Sequence, residues 1–245
     1  MAENSFIMLI KNIIYRDVPL APYTTYRLGG KADYFTIVNN NTHFLQVINF
    51  AWEMEIPFFV LGCGANILIA DEGFRGLVIK NESKKIQICN NNENTFLHAS
   101  GGSIISDIIN ETTRHGYSGF EHYAGIPSTI GGALWQNLHF LSPDRKRTVY
   151  IAEIFERAHV LNRVTRRCEV LERNDFCFGY DTSILHQGNY VVLEALFRLT
   201  PSKPYVIHHQ VEENLKWRNQ HHPPYQIEYS CGSVFKKIEP QEYSI

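Results

Sequence analysis

The apolar positions of this chain change period several times, and each change marks an element. Tyr34-Phe-Thr-Ile-Val38 is a compact run of aromatic and β-branched residues and predicts a strand. Phe44, Val47, Ile48, Ala51 and Met54 then recur at helical spacing, with Asn41-Thr42 as the expected cap and Pro57 as the stop. Pro57-Phe-Phe-Val-Leu61 reads as a further strand, and the β-like run Ile67-Leu-Ile-Ala70 follows after a stretch of small residues. Strand, helix, strand and glycine loop together make a small α+β lobe of roughly 80 residues.

Two polar turns, Asn81–Lys85 and Asn90–Asn94, flank the short strand Ile86-Gln-Ile-Cys89, and Phe96-Leu-His-Ala99 reads as its partner. After the turn Ser100-Gly101-Gly102, Ser103 is expected to cap a helix carrying Ile104, Ile105, Ile108 and Ile109 that stops near Gly116. The stretch from Leu138 to Tyr150 is polar, with Asp144-Arg-Lys-Arg147 at its centre, and predicts a solvated loop. From Ile154 the pattern is β-rich: Phe155 to Leu161, Cys168 to Leu171, Phe176 to Leu185, and Tyr190 to Leu199. Val206 to Gln220 predicts a polar helix. The chain shows no internal repeat and no low-complexity tract.

Chemistry concentrates where the apolar runs are interrupted. Between Leu61 and Ile67 stand Gly62, Cys63, Gly64, Ala65 and Asn66, which leave little bulk over the backbone. Such a loop can turn several N–H groups toward one anion, with phosphate or pyrophosphate the natural guest. A tight turn between two strands is the alternative reading. The loop is not a dinucleotide fingerprint of the helix-opening kind, because Ile67 stands where the third glycine would start a helix. Any phosphate is therefore held by loop amides and not by a helix terminus.

A second concentration is Gly119 to Asn137. Gly125, Pro127, Gly131 and Gly132 are expected to fix an extended backbone, Ser128 and Thr129 supply hydroxyls, and Gly131-Gly132-Ala133 allows a flat ligand to approach closely. A packed turn is the alternative. Gly29-Gly30 marks a turn, beside which Arg27 and Lys31 are either phosphate contacts or solvated charges. Near the end, Ser233 beside Gly232 is either a proton donor or part of a strand-entry turn. His208-His209 and His221-His222 lack carboxylate or cysteine partners at ligand spacing, so no metal site is expected.

Composition narrows the classes. Hydrophobic residues make up 44% and charged residues 20%, as in ordinary globular proteins, and the net charge of −2 offers no general attraction to nucleic acid or anionic lipid. The five cysteines (63, 89, 168, 177 and 231) lack zinc-type spacing, and the odd count argues for reduced thiols. Met1 to Ile10 is apolar for too few residues to be a signal peptide, and no stretch is long enough to cross a bilayer. A cytoplasmic protein is expected.

Six stretches in register resemble the UDP-N-acetylenolpyruvoylglucosamine reductase (UDP-N-acetylmuramate dehydrogenase, MurB-type) family. They are Thr24-Thr25 through Gly29-Gly30-Lys-Ala-Asp33, Leu61-Gly-Cys-Gly-Ala-Asn66, Asp71-Glu-Gly-Phe-Arg-Gly76, Gly125-Ile-Pro-Ser-Thr-Ile-Gly-Gly-Ala133, Phe178-Gly-Tyr180 and Gly232-Ser-Val-Phe235. The resemblance implies a two-lobed α+β FAD-binding fold of the vanillyl-alcohol-oxidase/PCMH type with a truncated substrate-binding domain. It divides the chain into lobe 1 (1–80), lobe 2 (81–200) and a substrate-domain remnant (201–245). It also implies FAD as cofactor, NADPH as hydride donor and an enolpyruvyl UDP-sugar as substrate. Gly62, Cys63, Gly64, Ala65, Asn66 and Ile67 would cradle the pyrophosphate; Ile126, Pro127, Ser128, Thr129, Gly132, Ala133 and Asn137 would run along the flavin. Ser233 holds the place of the family's proton donor, whereas Asp181 occupies the place of a cation that steadies the enolate. A carboxylate there repels the developing anion: at 4 Å and an effective dielectric near 20, a unit charge pair is worth roughly 4 kcal/mol. The family's C-terminal Glu has no counterpart. The expectation is a reductase, with a silent FAD-binding homologue or one half of a split enzyme, completed by a second polypeptide, as alternatives.

Overall fold

The computed structural model describes residues 13–91, 93–223 and 227–234. Met1 to Ile10, and Phe235 of the Gly-Ser-Val-Phe stretch, lie outside the described residues. The first sheet contains β1 (Tyr15–Pro19), β2 (Lys31–Val38), β3 (Phe58–Leu61) and β4 (Phe74–Asn81) in the order β1-β2-β4-β3. β4 runs parallel to both neighbours and β1 antiparallel to β2.

Helix α1 (Asn41–Glu53) crosses between β2 and β3 and buries Phe44, Val47, Ile48 and Ala51 completely. Its cap is one residue earlier than expected: the Asn40 side chain accepts the His43 amide at 2.8 Å. Asn41 is committed elsewhere, its Nδ2 donating to Glu194 Oε1 at 3.0 Å. The helix also stops before Pro57 can act, at Glu53, and Glu55 reverses the chain at φ +52°.

The rest of the chain builds a second, antiparallel sheet. In chain order come β5 (Ile86–Asn90), β6 (Thr95–Ser100), α2 (Ile105–Arg114), β7 (Tyr117–Ser118), α3 (Ile130–Gln136), β8 (His139–Leu141), β9 (Thr148–Tyr150), β10 (Phe155–Asn162), β11 (Arg167–Glu172), β12 (Tyr190–Pro201) and α4 (Pro204–His221). The strands order as β11-β10-β12-β6-β5, with β7 against the end of β12. Phe120, Phe155, Phe176 and Phe197 centre the core, edge-on to one another at 4.6–5.7 Å.

Four local expectations are overturned. Ile104, not Ser103, precedes α2, because the Ser103 hydroxyl donates to the Lys85 carbonyl at 2.9 Å. Leu138 to Tyr150 is not an open loop but the hairpin β8–β9. Phe176 to Leu185 forms short 3-10 turns and connections instead of a strand. Ile67 to Ala70 joins no sheet: Ile67 and Ile69 pack on the first-lobe core beside Leu20, Phe35 and Val78, while Leu68 is 68% exposed.

The two sheets share a wall. Leu161, Val191 and Leu193 of the second sheet pack into the cluster formed by Val38, Phe44, Ile48, Leu77 and Ile79. The supposedly open turn after β4 lies in the same junction, where Ser83 is fully buried, donates to Asn81 Oδ1 at 2.8 Å and accepts the Gly102 amide at 3.1 Å. The loop after β3 and the segment before α3 therefore meet at the mouth between the lobes.

Candidate functional site

The loop after β3 is held from both sides by main-chain contacts. Gly64 is buried at φ +66°, and a Cβ on it would lie 2.1 Å from the Tyr23 carbonyl oxygen, so only glycine fits. The Thr25 amide donates to the Gly64 carbonyl at 2.9 Å. Lys80, at the end of β4, donates from Nζ to the Gly62 carbonyl at 2.5 Å. Among the described residues, the amides of Cys63, Gly64, Ala65 and Asn66 have no protein acceptor. Burial pushes the Cys63 thiol above its ordinary pKa, against the opposing pull of the Lys80 ammonium.

The second segment lies directly across from this loop. A Cβ on Gly62 would come within 2.5 Å of Thr129 Oγ1. The expectation of extended backbone through Gly131-Gly132-Ala133 fails, since these residues open α3, with Thr129 as the cap accepting the Gly132 amide at 3.3 Å. The first amides of α3 are already spent: Ile130 donates to Ser103 O at 2.9 Å and Gly131 to Gly101 O at 2.8 Å. Unpartnered main-chain donors thus sit on both sides of the mouth, at Cys63 to Asn66 on one and at Ser128 and Thr129 on the other, among the described residues. Ile126 and Pro127 are half-buried, Ser128 donates to the Thr129 carbonyl at 3.0 Å, Gly132 is exposed and Ala133 is buried.

Asn137 ends α3 in the left-handed region at φ +49°, a conformation asparagine tolerates better than most residues. Its buried side chain is engaged at both ends by protein, donating to Gly179 O at 2.9 Å and accepting the Ala152 amide at 3.4 Å. It fixes the Phe178-Gly-Tyr180 turn, which with Tyr150, Arg173 and Asn174 borders a cavity of about 630 Å³.

A side-chain relay crosses the mouth. Asn66 Nδ2 donates to Gln136 Oε1 at 2.8 Å, and Gln136 Nε2 donates to Asp181 Oδ1 at 2.6 Å. His139 Nδ1 lies 3.6 Å from the same Asp181 oxygen. The loop, α3 and the Asp181 turn are therefore one connected unit. Ser233 is exposed and belongs to a segment tethered here by Thr25, whose hydroxyl donates to the Ser230 carbonyl at 2.6 Å.

Residues 32–149 match the family described as FAD binding domain. The UDP-N-acetylenolpyruvoylglucosamine reductase of Caldanaerobacter subterraneus subsp. tengcongensis is 30% identical over 91% of this chain and 70% of its own length. That of Staphylococcus saprophyticus is 32% identical over 93% of this chain and 70% of its own length. The chain belongs to the UDP-N-acetylenolpyruvoylglucosamine reductase family. The fold agrees with that membership: the crystal structure of UDP-N-acetylenolpyruvylglucosamine reductase from Thermus caldophilus superposes with a TM-score of 0.72 over 92% of this chain and 75% of that one, at 24% identity. A VAO-type flavoprotein from Myceliophthora thermophila superposes at 0.52 over 69% of this chain and 32% of that one, at 16% identity. The two-lobed α+β FAD-binding fold of the vanillyl-alcohol-oxidase type is thereby shown.

Three polar residues of this family member's site escape sequence reasoning. Lys80 closes an apolar run and reads as a strand-end surface charge; Gln136 and His139 carry no motif. Tertiary contacts give them meaning: the end of β4 lies beside the end of β3 for Lys80, and the Asn66 and Asp181 side chains meet Gln136 and His139. The four histidines of the two pairs are exposed, and His221 stacks on Trp217 at 4.1 Å. Among the described residues no cluster of three or more metal-ligating side chains occurs, and no helix is long and apolar enough to cross a membrane.

Proposed function

We propose that this chain binds FAD across the mouth between its lobes and reduces the enolpyruvyl group of a UDP-N-acetylglucosamine ether to UDP-N-acetylmuramate, with NADPH as hydride donor. The reaction belongs to cytoplasmic peptidoglycan precursor synthesis. The observation that carries the reading is the apposition of Gly62 and Thr129, with the unpartnered amides of Cys63 to Asn66 lining one side. A run of main-chain donors with little side-chain bulk suits a diphosphate. On this reading Gly62 to Ile67 hold the diphosphate, and Ile126 to Thr129, Gly132 and Ala133 flank the ring system. Asn137 acts through the turn that it holds at Gly179. On the same reading residues 1–80 and 81–200 are the two FAD-binding lobes, and 201–245 are the remnant or start of a substrate-binding domain.

When bound, FAD supplies reversible hydride transfer between NADPH and the enolpyruvyl carbon. The protein's part is charge and proton control. Hydride addition leaves negative charge beside a carboxylate, which requires a donor. The Thr25–Ser230 tether, beside the loop after β3, supports Ser233 as that donor. Asp181 opposes the same charge, and Gln136 and His139 are the groups that temper it.

Asp181 also favours a second reading: a chain that binds FAD without turning over, or one that turns over only with a second polypeptide. The experiment is direct. The purified protein is expected to be yellow and to release FAD on denaturation; a colourless protein that takes up no added flavin ends the reading. NADPH oxidation dependent on the enolpyruvyl UDP-sugar supports the reductase, flavin without such oxidation supports the silent form, and activity only on adding a second polypeptide supports the split form.

A further inference from the structure

Lys80 is a cation whose position the reading above does not use. It pairs in register with Leu61, so its side chain leaves the carboxyl end of β4 beside the start of the diphosphate loop. Carboxyl ends of parallel strands are where open α/β sheets take their ligands. Its ammonium is bonded to the Gly62 carbonyl at 2.5 Å. Glu82 and Asp107 are close enough to act on the Cys63 thiol, with sign opposite to Lys80. Among the described residues, however, no carboxylate lies within ion-pairing distance of the lysine.

We infer that Lys80 is a positioning residue for anion binding, setting the orientation of the Gly62–Cys63 peptide and leaving an unneutralised positive charge beneath the loop. The C=O and N–H of one trans peptide point in opposite directions. Anchoring the Gly62 oxygen on Lys80 therefore turns the Cys63 N–H away from the lysine, onto the opposite face of the loop. A peptide flip would instead present a carbonyl oxygen to the incoming phosphate and cancel a donor. The charge acts through the loop, in a half-buried setting where salt screens it incompletely. The ligand class is a nucleoside diphosphate group. The inference rests on the FAD reading for the identity of that ligand, but not for the existence of the anion site.

The test compares wild type, Lys80→Met, Lys80→Gln and Lys80→Arg in titrations with FAD, ADP and riboflavin at low and high salt, with unfolding midpoints measured in parallel. Methionine keeps the apolar stem and removes the charge and the donor. Lys80→Met is expected to weaken FAD and ADP binding about tenfold, as for loss of one charge-assisted contact, and to leave riboflavin unchanged. Lys80→Arg is expected to restore affinity and salt sensitivity; Lys80→Gln, which keeps a donor without charge, falls between. Unchanged FAD and ADP affinity in a folded Lys80→Met variant overturns the inference while the FAD reading stands. Equal loss of riboflavin and FAD also overturns it, since the effect would then lie at the ring and not at the diphosphate. Lys80-dependent ADP binding in a protein that takes up no flavin upholds it and overturns the FAD reading instead.

Discussion

At the scale of single residues, the site is a set of backbone choices more than a set of reactive side chains. Gly64 shows this best, because both its φ of +66° and the 2.1 Å approach of the Tyr23 carbonyl exclude a side chain. Gly64→Ala is expected to cost about 2 kcal/mol or more in urea unfolding, and to lose flavin uptake before it loses the fold. Asp181 is the converse case, a charge at odds with the proposed chemistry. Asp181→Asn keeps an acceptor for Gln136 and a residue type that tolerates φ +53°. A contact-distance charge of this sign would shift the rate roughly a thousandfold at 4 kcal/mol. The carboxylate is 34% exposed and screened, so the expected gain in substrate-dependent NADPH oxidation is only about tenfold. Sequence made Gly62, Gly64 and Thr129 legible because their special feature is local: little or no side chain, or a cap. It could not show Lys80 or Gln136, whose partners lie 18 and 45–70 residues away.

At the scale of elements, periodicity located most strands and both long helices, and it failed where tertiary contacts outbid local preference. Asn40 capped α1 because Asn41 was drawn to Glu194. Gly131 and Gly132, poor helix formers, became helical because Ser103 and Gly101 supply acceptors for the first turn of α3. The polar helix α4 is fastened by an unusual device. Asn214 is fully buried and donates to the carbonyls of Glu121 and His122 at 3.1 and 3.3 Å, while its Oδ1 accepts from Gln210 at 3.0 Å. Asn214→Ala leaves the His122 carbonyl without its side-chain donor and that of Glu121 with only the Ala124 amide, and is expected to cost about 1–3 kcal/mol, read as a lowered thermal midpoint. Asn214→Asp offers no such donors in its ionised form and should be no better. No pattern in the sequence marks this residue, since an asparagine on a polar helix ordinarily faces water.

At the scale of the whole molecule, a polar contact ties the lobes, and its acceptor also holds a histidine within the second sheet. Glu194 receives Asn41 from α1 and, at 2.8 Å, His98 Nε2 from β6. Burial lowers the pKa of His98, against the raising influence of Glu194, and burial likewise lowers that of His122, again opposed by a neighbouring Glu121. Each ring takes up a proton more readily unfolded than folded, so the unfolded chain binds more protons below about pH 6.5 and stability falls from there downward. The urea midpoint is expected to be lower at pH 5.5 than at 7.5, with no comparable change between 7.5 and 8.5. Family and fold were legible because they depend on ordered motifs, and so were the two glycine-rich segments that meet at Gly62 and Thr129. The junction was not, because Asn81, Ser83 and Glu194 look like surface residues until two sheets close over them. That shared wall has a further consequence. Because α1 has its apolar side pressed against strands of both sheets, neither half owns a complete interior, and heat should melt them in one cooperative step. A cofactor gripping only the rim would then lend its protection to every part of the protein at once.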